Sequence, residues 1–406
     1  MPKYRFSQFS DPWQKTTLDQ FLTVFPGRNK VGLFSKNDVL SVSGELGVVN
    51  QIELLGRSYA GESVLPYHIV RNGHIVYTKS PLLEYPYGII KENRGPDGIV
   101  STLYAVYSVN SNCFGTFVEH YFSYRPRINN YLRPIVRIGA KHDMKIGNQE
   151  VLENYVTFPS VDEQKKISSF LTTIDDRILI QKERIEHLEK RKIGLLKKVF
   201  SQEIVFKNKE GNPFKPWKKC VIKDLYSKGK AGGTPKASDA SFYGDYIPFL
   251  SISDISQSGK YIYKTEKGLS EKGLNNCSAW RVPADSIILS MYASYGKVCI
   301  NKIPLATSQA LFSMIIDEKM CTLDFAFTLF ESLDLTGEWR TLIQTGTQPN
   351  LSKELIEPVE IKVPSLEEQE VIASFFAAID NQLLYEKEKL SRMKSIKQGF
   401  LKGLFD

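Results

Sequence analysis

The sequence predicts an α+β protein in which two strand-rich domains alternate with two long helices, the helices pairing as an antiparallel coiled coil with pseudo-two-fold symmetry. Three observations predict it. Residues 159–200 recur as residues 364–405 without a gap, at an offset of 205, with Pro, Ser, Glu-Gln, Ile, Ser-Phe, Ile-Asp, Lys-Glu, Gly and a final Phe in step. Each copy carries an apolar seam whose steps alternate three and four, the coiled-coil pattern. The stretches ahead of the copies also open alike, Pro12-Trp13-Gln14-Lys15 and Pro216-Trp217-Lys218-Lys219, at an offset of 204. A period this long excludes a solenoid and makes each repeat a whole domain plus a helix.

The first domain covers residues 1–157. After Pro12-Trp13, Leu18, Phe21 and Leu22 fall on one helical face, and the tryptophan is expected to seat the domain against a helix. Short alternating or β-branched runs follow at 39–42, 74–78 and 99–107, separated by Gly, Pro, Asn and Asp. The first helical region covers 158–204. Ser160 and Glu163 have capping-box spacing just after a proline. Its seam is Leu171, Ile174, Ile178, Gln181, Ile185, Leu188, Lys192, Leu195 and Val199. A polar linker leads into the second domain, 205–362, with strand-like runs at 246–250, 286–291 and 296–300. The second helical region, 363–406, starts at Ser365 and Glu368. Its seam is Phe376, Ile379, Leu383, Glu386, Leu390, Met393, Lys397, Phe400 and Leu404.

Both seams break at the same two places, Gln181 and Lys192 in one, Glu386 and Lys397 in the other. Polar residues at core positions cost stability but fix register and partner. One antiparallel register, with residue n facing 578 − n, sets Lys192 against Glu386, Gln181 against Lys397, Ile185 against Met393 and Ile178 against Phe400. The plain alternative is that each polar side chain snorkels to water from an ordinary bundle.

Composition bounds the chemistry. The 406 residues are 42% hydrophobic and 24% charged, ordinary for a globular protein. No run reaches the length of a membrane span, and the first residues lack a signal-peptide core, so a cytoplasmic location is expected. Five scattered cysteines without a C-x-x-C argue against a disulfide framework or zinc site. The five histidines are dispersed, so no metal ligands are assigned. A net charge of +8 tilts the balance slightly toward nucleic acid. The sequence has no P-loop, G-x-S-x-G or H-E-x-x-H. Gly229, Gly232 and Gly233 precede strands and do not form a dinucleotide loop. Asp11-Pro12-Trp13 lacks the second proline of an adenine-methyltransferase loop. No catalytic residues are assigned.

The order and duplication of several motifs resemble one family. They are the helix starts Pro159-Ser160-Val161-Asp162-Glu163-Gln164 and Pro364-Ser365-Leu366-Glu367-Glu368-Gln369. The second domain adds Gly232-Gly233-Thr234-Pro235, Tyr243-Gly244-Asp245-Tyr246-Ile247-Pro248, Ser253-Asp254 and Gly346-Thr347-Gln348-Pro349-Asn350-Leu351-Ser352. Gly47-Val48-Val49 and Gly139-Ala140-Lys141-His142-Asp143 fit more loosely. Across essentially the whole chain the pattern is similar to the specificity (S) subunit of Type I DNA restriction–modification systems. That resemblance implies a non-catalytic DNA reader. Its two target-recognition domains each read half of a split, asymmetric site, and its two helical spacer regions dock two modification (M) subunits. S-adenosylmethionine belongs to the M subunits, and ATP and Mg2+ to two restriction (R) subunits; no cofactor is expected on this chain. A helix from Glu163 to Phe200 is roughly 55 Å long at about 1.5 Å per residue, enough to hold two readers about 34–36 Å, one DNA turn, apart.

Loop position, polarity and the resemblance nominate DNA-contacting residues. In the first domain they are Ser35, Lys36, Ser43, Tyr77, Lys79, Lys141, His142 and Lys145. In the second they are Thr234, Lys236, Ser251, Ser253, Tyr292, Ser294, Tyr295, Thr347, Gln348 and Asn350. The outward helix faces nominate an M-subunit surface of Gln164, Lys165, Arg177, Lys182, Glu183, Gln369, Gln382, Lys387 and Glu388. For each, the plain alternative is a satisfied turn residue or a solvated charge. Two rival functions remain open at this stage: a protein-only interaction scaffold, which would bind no DNA, and a stand-alone nuclease or methyltransferase of unfamiliar type.

Overall fold

The computed structural model of the chain describes residues 2–82, 84–138, 144–292, 294–343 and 350–406. Its contacts divide into two units, Met1–Lys182 with Glu388–Asp406, and Glu183–Lys387. The long helices, Val161–Phe200 and Leu366–Phe405, therefore contribute to both units.

In the first unit, strand Gln14–Thr17 pairs antiparallel with Tyr155–Phe158 and closes the domain just ahead of the helix. The body is a four-stranded antiparallel sheet in the order Leu22–Val24, Tyr104–Val109, Ile75–Thr78, Ile90–Glu92. A hairpin, Leu40–Ser43 with Gly47–Asn50, and the pair His68–Val70 with Gly98–Val100 flank it. The helical face expected at Leu18–Leu22 is instead a 3-10 turn, Leu18–Gln20, running into a strand. Both Leu18 and Leu22 are buried all the same. The run 99–107 is two strands, not one. Two helices that the alternating pattern did not reveal, Gly115–Ser123 and Arg125–Leu132, cover the sheet.

The second unit repeats the closure, with Lys218–Val221 paired to Glu360–Val363. Its body is different. A five-stranded sheet runs Tyr226–Ala231, Leu311–Ile316, Ser286–Ser290, Val298–Asn301, Tyr261–Ile262, and a second sheet centres on Tyr243–Leu250. The covering helix is Leu323–Leu335.

Each unit wraps the start of one long helix and the end of the other, so the helices run antiparallel within it. In the first unit, Ile167 and Leu171 share a core with Leu401, Leu404 and Phe405; in the second, Ile372 and Phe376 share one with Leu196 and Val199. The tryptophans are anchors, as expected. Trp13 packs on Phe117 and Phe405, and Trp217 on Phe325 and Phe200.

The expected seam positions are buried or half-buried throughout. The partners of the polar breaks correct the register. Lys192 Nζ lies 2.6 Å from Asp380 and 2.6 Å from Glu331, and Glu386 pairs with Arg184 at 3.0 Å. Lys397 pairs with Asp175, and the Phe400 ring lies 4.9 Å from that of Phe170. The n to 578 − n facing therefore does not hold. A lysine stem is long enough to leave the seam and reach the aspartate that follows Ile174 or Ile379, and Glu331 comes from the globular body, which a heptad pattern cannot show. The repeat offset carries Asp175 onto Asp380 and Lys192 onto Lys397, so both units make the same bond.

The motif shared by the helix starts has an internal task. Gln164 is fully buried; its Oε1 accepts the Phe114 N–H at 2.9 Å and its amide donates to Pro159 O at 2.9 Å. Gln369 does the same with Thr322 N–H at 2.7 Å and Pro364 O at 3.1 Å. The assignment of Gln164 and Gln369 to an outward M-subunit surface is thus overturned: the bulk of each domain stands over them. Glu163 is not free for a capping box either. It accepts from Arg5, at 2.9 and 2.8 Å, and from Trp13 Nε1 at 3.2 Å.

The second unit lacks that arginine. Phe6 packs on Phe170 as Phe206 packs on Phe375, which places Val205, 62% exposed, where Arg5 stands. Glu368 Oε2 is left buried without a hydrogen-bond partner. Burial raises the Glu368 pKa above its ordinary value of 4.5, against a lowering hydrogen bond from Trp217.

Replacing Gln164 or Gln369 by Ala orphans a buried N–H, and each change is expected to cost about 1–3 kcal/mol in a denaturant midpoint. Because the folded state holds the Glu368 proton more tightly than the unfolded chain, its contribution is full below about pH 4.5 and is lost as pH rises through the raised value. Glu368→Gln is therefore expected to raise the midpoint at pH 7 and to have little effect near pH 4, whereas Glu163→Gln, which weakens the Arg5 pair, lowers it at pH 7.

Candidate nucleic-acid interface

In the second unit three chain segments meet around the 307–311 turn. The Gly232 N–H donates to Leu311 O at 3.0 Å and the Gly233 N–H to Thr307 O at 2.9 Å. A Cβ on Gly232 would lie 2.0 Å from Thr307 O, and one on Gly233 2.4 Å from Ser278 Oγ. Only glycine lets these backbones approach so closely. Ser278 Oγ donates to Gly232 O at 3.2 Å, and Thr234 Oγ1 accepts the Gln309 N–H at 3.4 Å.

The strands feeding this turn bring in the rest. Ser308 N–H donates to Leu250 O, next to Ser251; Met291 N–H donates to Ala310 O; Leu351 N–H donates to Met291 O. Thr234, Ser251, Tyr292 and Asn350, far apart in sequence, are thereby gathered around one turn. Thr234, Lys236, Ser253, Tyr292 and Ser294 are exposed, and Asn350 is half-buried. Ser251 is committed locally: its N–H and Oγ both donate to Asp254, at 2.8 and 2.6 Å, and cap the helix Ile252–Ser258. Tyr295 is half-buried against the domain core, which removes it from the candidate contacts. Thr347 and Gln348 lie outside the described residues. Polarity in loops picked out these residues but missed Gln309, Ser278 and Arg281, exposed on the same rim. Their signal was the paired glycines, which mark close backbone approach without saying to what.

The first unit is less concentrated. Ser35 and Lys36 are exposed at a 3-10 turn capped by Ser35 and Asp38. Buried Asn29 ties this loop to residue 64: its Nδ2 donates to Phe34 O at 2.8 Å and to Val64 O at 3.3 Å. Ser43 lies at the far end of the strand, in a hairpin whose Glu45 meets Lys182 at 3.3 Å. Lys145 is exposed opposite Arg137. Lys141 and His142 lie outside the described residues. Two assignments fail. Tyr77 is a core residue, 0% exposed, whose hydroxyl donates to Tyr87 O at 2.7 Å, and burial raises its pKa. Lys79 Nζ is used up by Ile146 O at 2.9 Å and Asn148 Oδ1 at 2.5 Å. Loop position, polarity and the resemblance nominated both, but the helices over the sheet bury the face on which Tyr77 lies.

On the helices, Lys165, Arg177, Glu183, Gln382 and Glu388 are exposed. Lys182 is engaged with Glu45, and Lys387 with Glu189 at 2.6 Å. A cleft of about 790 Å³ in the first unit runs between the hairpin and the helix pair. Its charges neutralise one another, Lys91 with Glu119 at 3.2 Å, Arg94 with Glu92 at 2.9 Å, and Lys397 with Asp175. His120, on its wall, is held well below its ordinary pKa by burial and by Lys397, Arg94 and Lys91. Among the described residues no group of three His, Cys, Asp or Glu could hold a metal, and no helix is long and apolar enough to cross a membrane. All five cysteines are free.

The repeated body-plus-helix arrangement defines a two-unit class of α+β protein, and comparison with known proteins shows what it is similar to. Residues 215–395 match the family described as Type I restriction modification DNA specificity domain. The Type I restriction enzyme MjaIX specificity subunit of Methanocaldococcus jannaschii is 29% identical over 209 residues, 51% of this chain and 48% of that protein; the chain thus spans about half the length of that relative. Two solved structures share the fold. One is an S subunit from M. genitalium, with a TM-score of 0.55 at 13% identity, covering 100% of this chain and 99% of that one. The other is a chain from a structure reporting complex assembly and conformational transition of the type I R-M system, with a TM-score of 0.60 at 15% identity and 98% of both chains covered. Residues 215–395 of this chain are thus similar to the DNA specificity domain of Type I restriction–modification systems, and the chain as a whole shares the fold of these two solved chains.

Since the Tyr77 hydroxyl is a core donor, Tyr77→Phe is expected to lower stability by about 1 kcal/mol and to leave any DNA affinity, read by a mobility shift, unchanged.

Proposed function

We propose that this chain is the DNA-recognition subunit of a Type I restriction–modification complex, each unit reading one half of a split, asymmetric DNA site. The observation that carries this is the pairing of a repeated frame with unlike surfaces. Closing strands, tryptophan anchor, glutamine clamp and lysine–aspartate bond recur, while the sheets and loops they hold differ. A duplicated frame suits two identical partners, and unlike loops suit two unlike half-sites.

The candidate contacts of the first unit are Ser35, Lys36, Ser43 and Lys145. Those of the second are Thr234, Lys236, Ser253, Tyr292, Ser294 and Asn350, with Ser251 shaping their turn. Amides can pair with adenine edges, and lysines with guanine or phosphate. Exposed Lys165, Arg177, Glu183, Gln382 and Glu388 are offered as the surface for two M subunits, which carry S-adenosylmethionine and the methyl transfer; two R subunits add ATP- and Mg2+-dependent cleavage. This chain supplies recognition and no catalysis.

Methylation mapping in cells expressing the chain with its M subunit is expected to give two short defined sequences around an undefined spacer. Exchanging residues 1–157 for another such domain is expected to change only one half. DNA binding is expected to weaken with salt by several units on a log–log plot. No split motif despite an active, assembled M subunit would favour the protein-only scaffold, and turnover by the purified chain alone would favour an enzyme.

A further inference from the structure

Beside the Gly232–Gly233 turn, two exposed cations rest on aromatic rings. The Arg281 guanidinium lies 5.5 Å from the centre of the Tyr246 ring, and Lys228 Nζ lies 4.5 Å from that of Trp280. Neither makes an ion pair among the described residues, nor does Lys230, two positions along the same strand. Other cations of this unit do: Lys260 with Asp324, Lys297 with Asp334, Lys302 with Asp285. The backbone beneath Arg281 is fixed, because Ser278 donates to Gly232 O and a Cβ on Gly233 would stand 2.5 Å from Ala279 N. A planar guanidinium leaving a fixed backbone and backed by a ring has lost much of its freedom before it meets a partner. The face it presents is open, since Tyr246 is 49% exposed.

The two kinds of cation suit different parts of a duplex. A guanidinium offers a planar fork that matches the O6/N7 edge of guanine. Lys228 and Lys230, at i and i+2 of Tyr226–Ala231, project from one face of an edge strand. Point charges in a row of that kind suit a phosphate backbone. The first unit carries a counterpart: Arg57 lies 4.6 Å over Tyr59, in a loop that leads toward Val64, which Asn29 ties to the loop carrying Lys36.

Building on the DNA-reading role above, we infer that Arg281 reads a base of the half-site bound by the second unit, and that Lys228 and Lys230 hold its phosphates. The test uses the methyltransferase complex and its mapped site. Arg281→Ala and Arg281→Lys are expected to lose roughly 5- to 150-fold in affinity and to relax the motif at one position of the half that survives exchange of residues 1–157. The lysine variant keeps the charge, so its loss isolates the fork. Tyr246→Ala should share the defect in part, and Tyr246→Phe should not. Lys228→Gln with Lys230→Gln is expected to leave the motif intact, weaken all sequences alike and lower the salt slope by about 2. Unfolding midpoints of these surface variants should match the parent, separating contact loss from misfolding. An unchanged motif and affinity in Arg281→Ala would overturn the base-reading role, and an unchanged salt slope in the double variant would overturn the phosphate role. A parent complex with no split motif would instead remove the DNA-reading function itself.

Discussion

One buried glutamine at the start of each long helix holds the globular body to the helix beneath it. A primary amide has an acceptor and donors pointing in opposite directions, and here both ends are used. The oxygen takes the first free N–H of the covering segment, Phe114 or Thr322, and the nitrogen caps the carbonyl of the proline before the helix. Inside a core each of these groups would be costly alone. Joined through one side chain, they fix where the covering segment crosses the helix. The neighbouring Glu163 extends the same joint to Arg5 and Trp13.

Further along the helices a second constraint appears, a lysine held by carboxylates, buried in the case of Lys192 and half-buried in that of Lys397. In one unit the carboxylates are Asp380 and Glu331; in the other Asp175 is joined by a neutral, buried His120. Buried ion pairs contribute little net stability, but removing one partner leaves an uncompensated charge at a cost of about 3–5 kcal/mol. Their role here is positional: they admit only the arrangement that brings a specific aspartate within reach of the lysine. Burial raises the Glu331 pKa, opposed chiefly by Lys192.

Outside this frame the two units diverge, and divergence is greatest where loops reach water. The second unit packs three segments so tightly that glycine is required, and gathers its exposed polar groups on one rim. The first spreads its candidates over a capped turn, a hairpin and a two-residue strand pair. A shared frame with independent loops suits the proposed role, in which what is read varies and what is assembled does not.

The sequence by itself determined the duplication, the two helices with their seams, the tryptophan anchors and several of the central strands, because these follow from local periodicity and from repetition, which need no knowledge of distant contacts. Only the tertiary structure decided what the repeated polar residues do. Gln164 and Gln369 read as outward-facing because a helix face says nothing about what lies over it, and the covering helices themselves were hidden within mixed apolar runs. Tyr77 and Lys79 read as surface residues by loop position and polarity, yet one lies beneath helices and the other is bound to carbonyls across 67 residues of chain. Lys192 found partners off the seam because a long side chain answers to the nearest carboxylates, not to heptad position. The rim around residues 307–311 joins segments as far apart in sequence as Gly232 and Leu351, and that proximity is a property of the folded sheet alone.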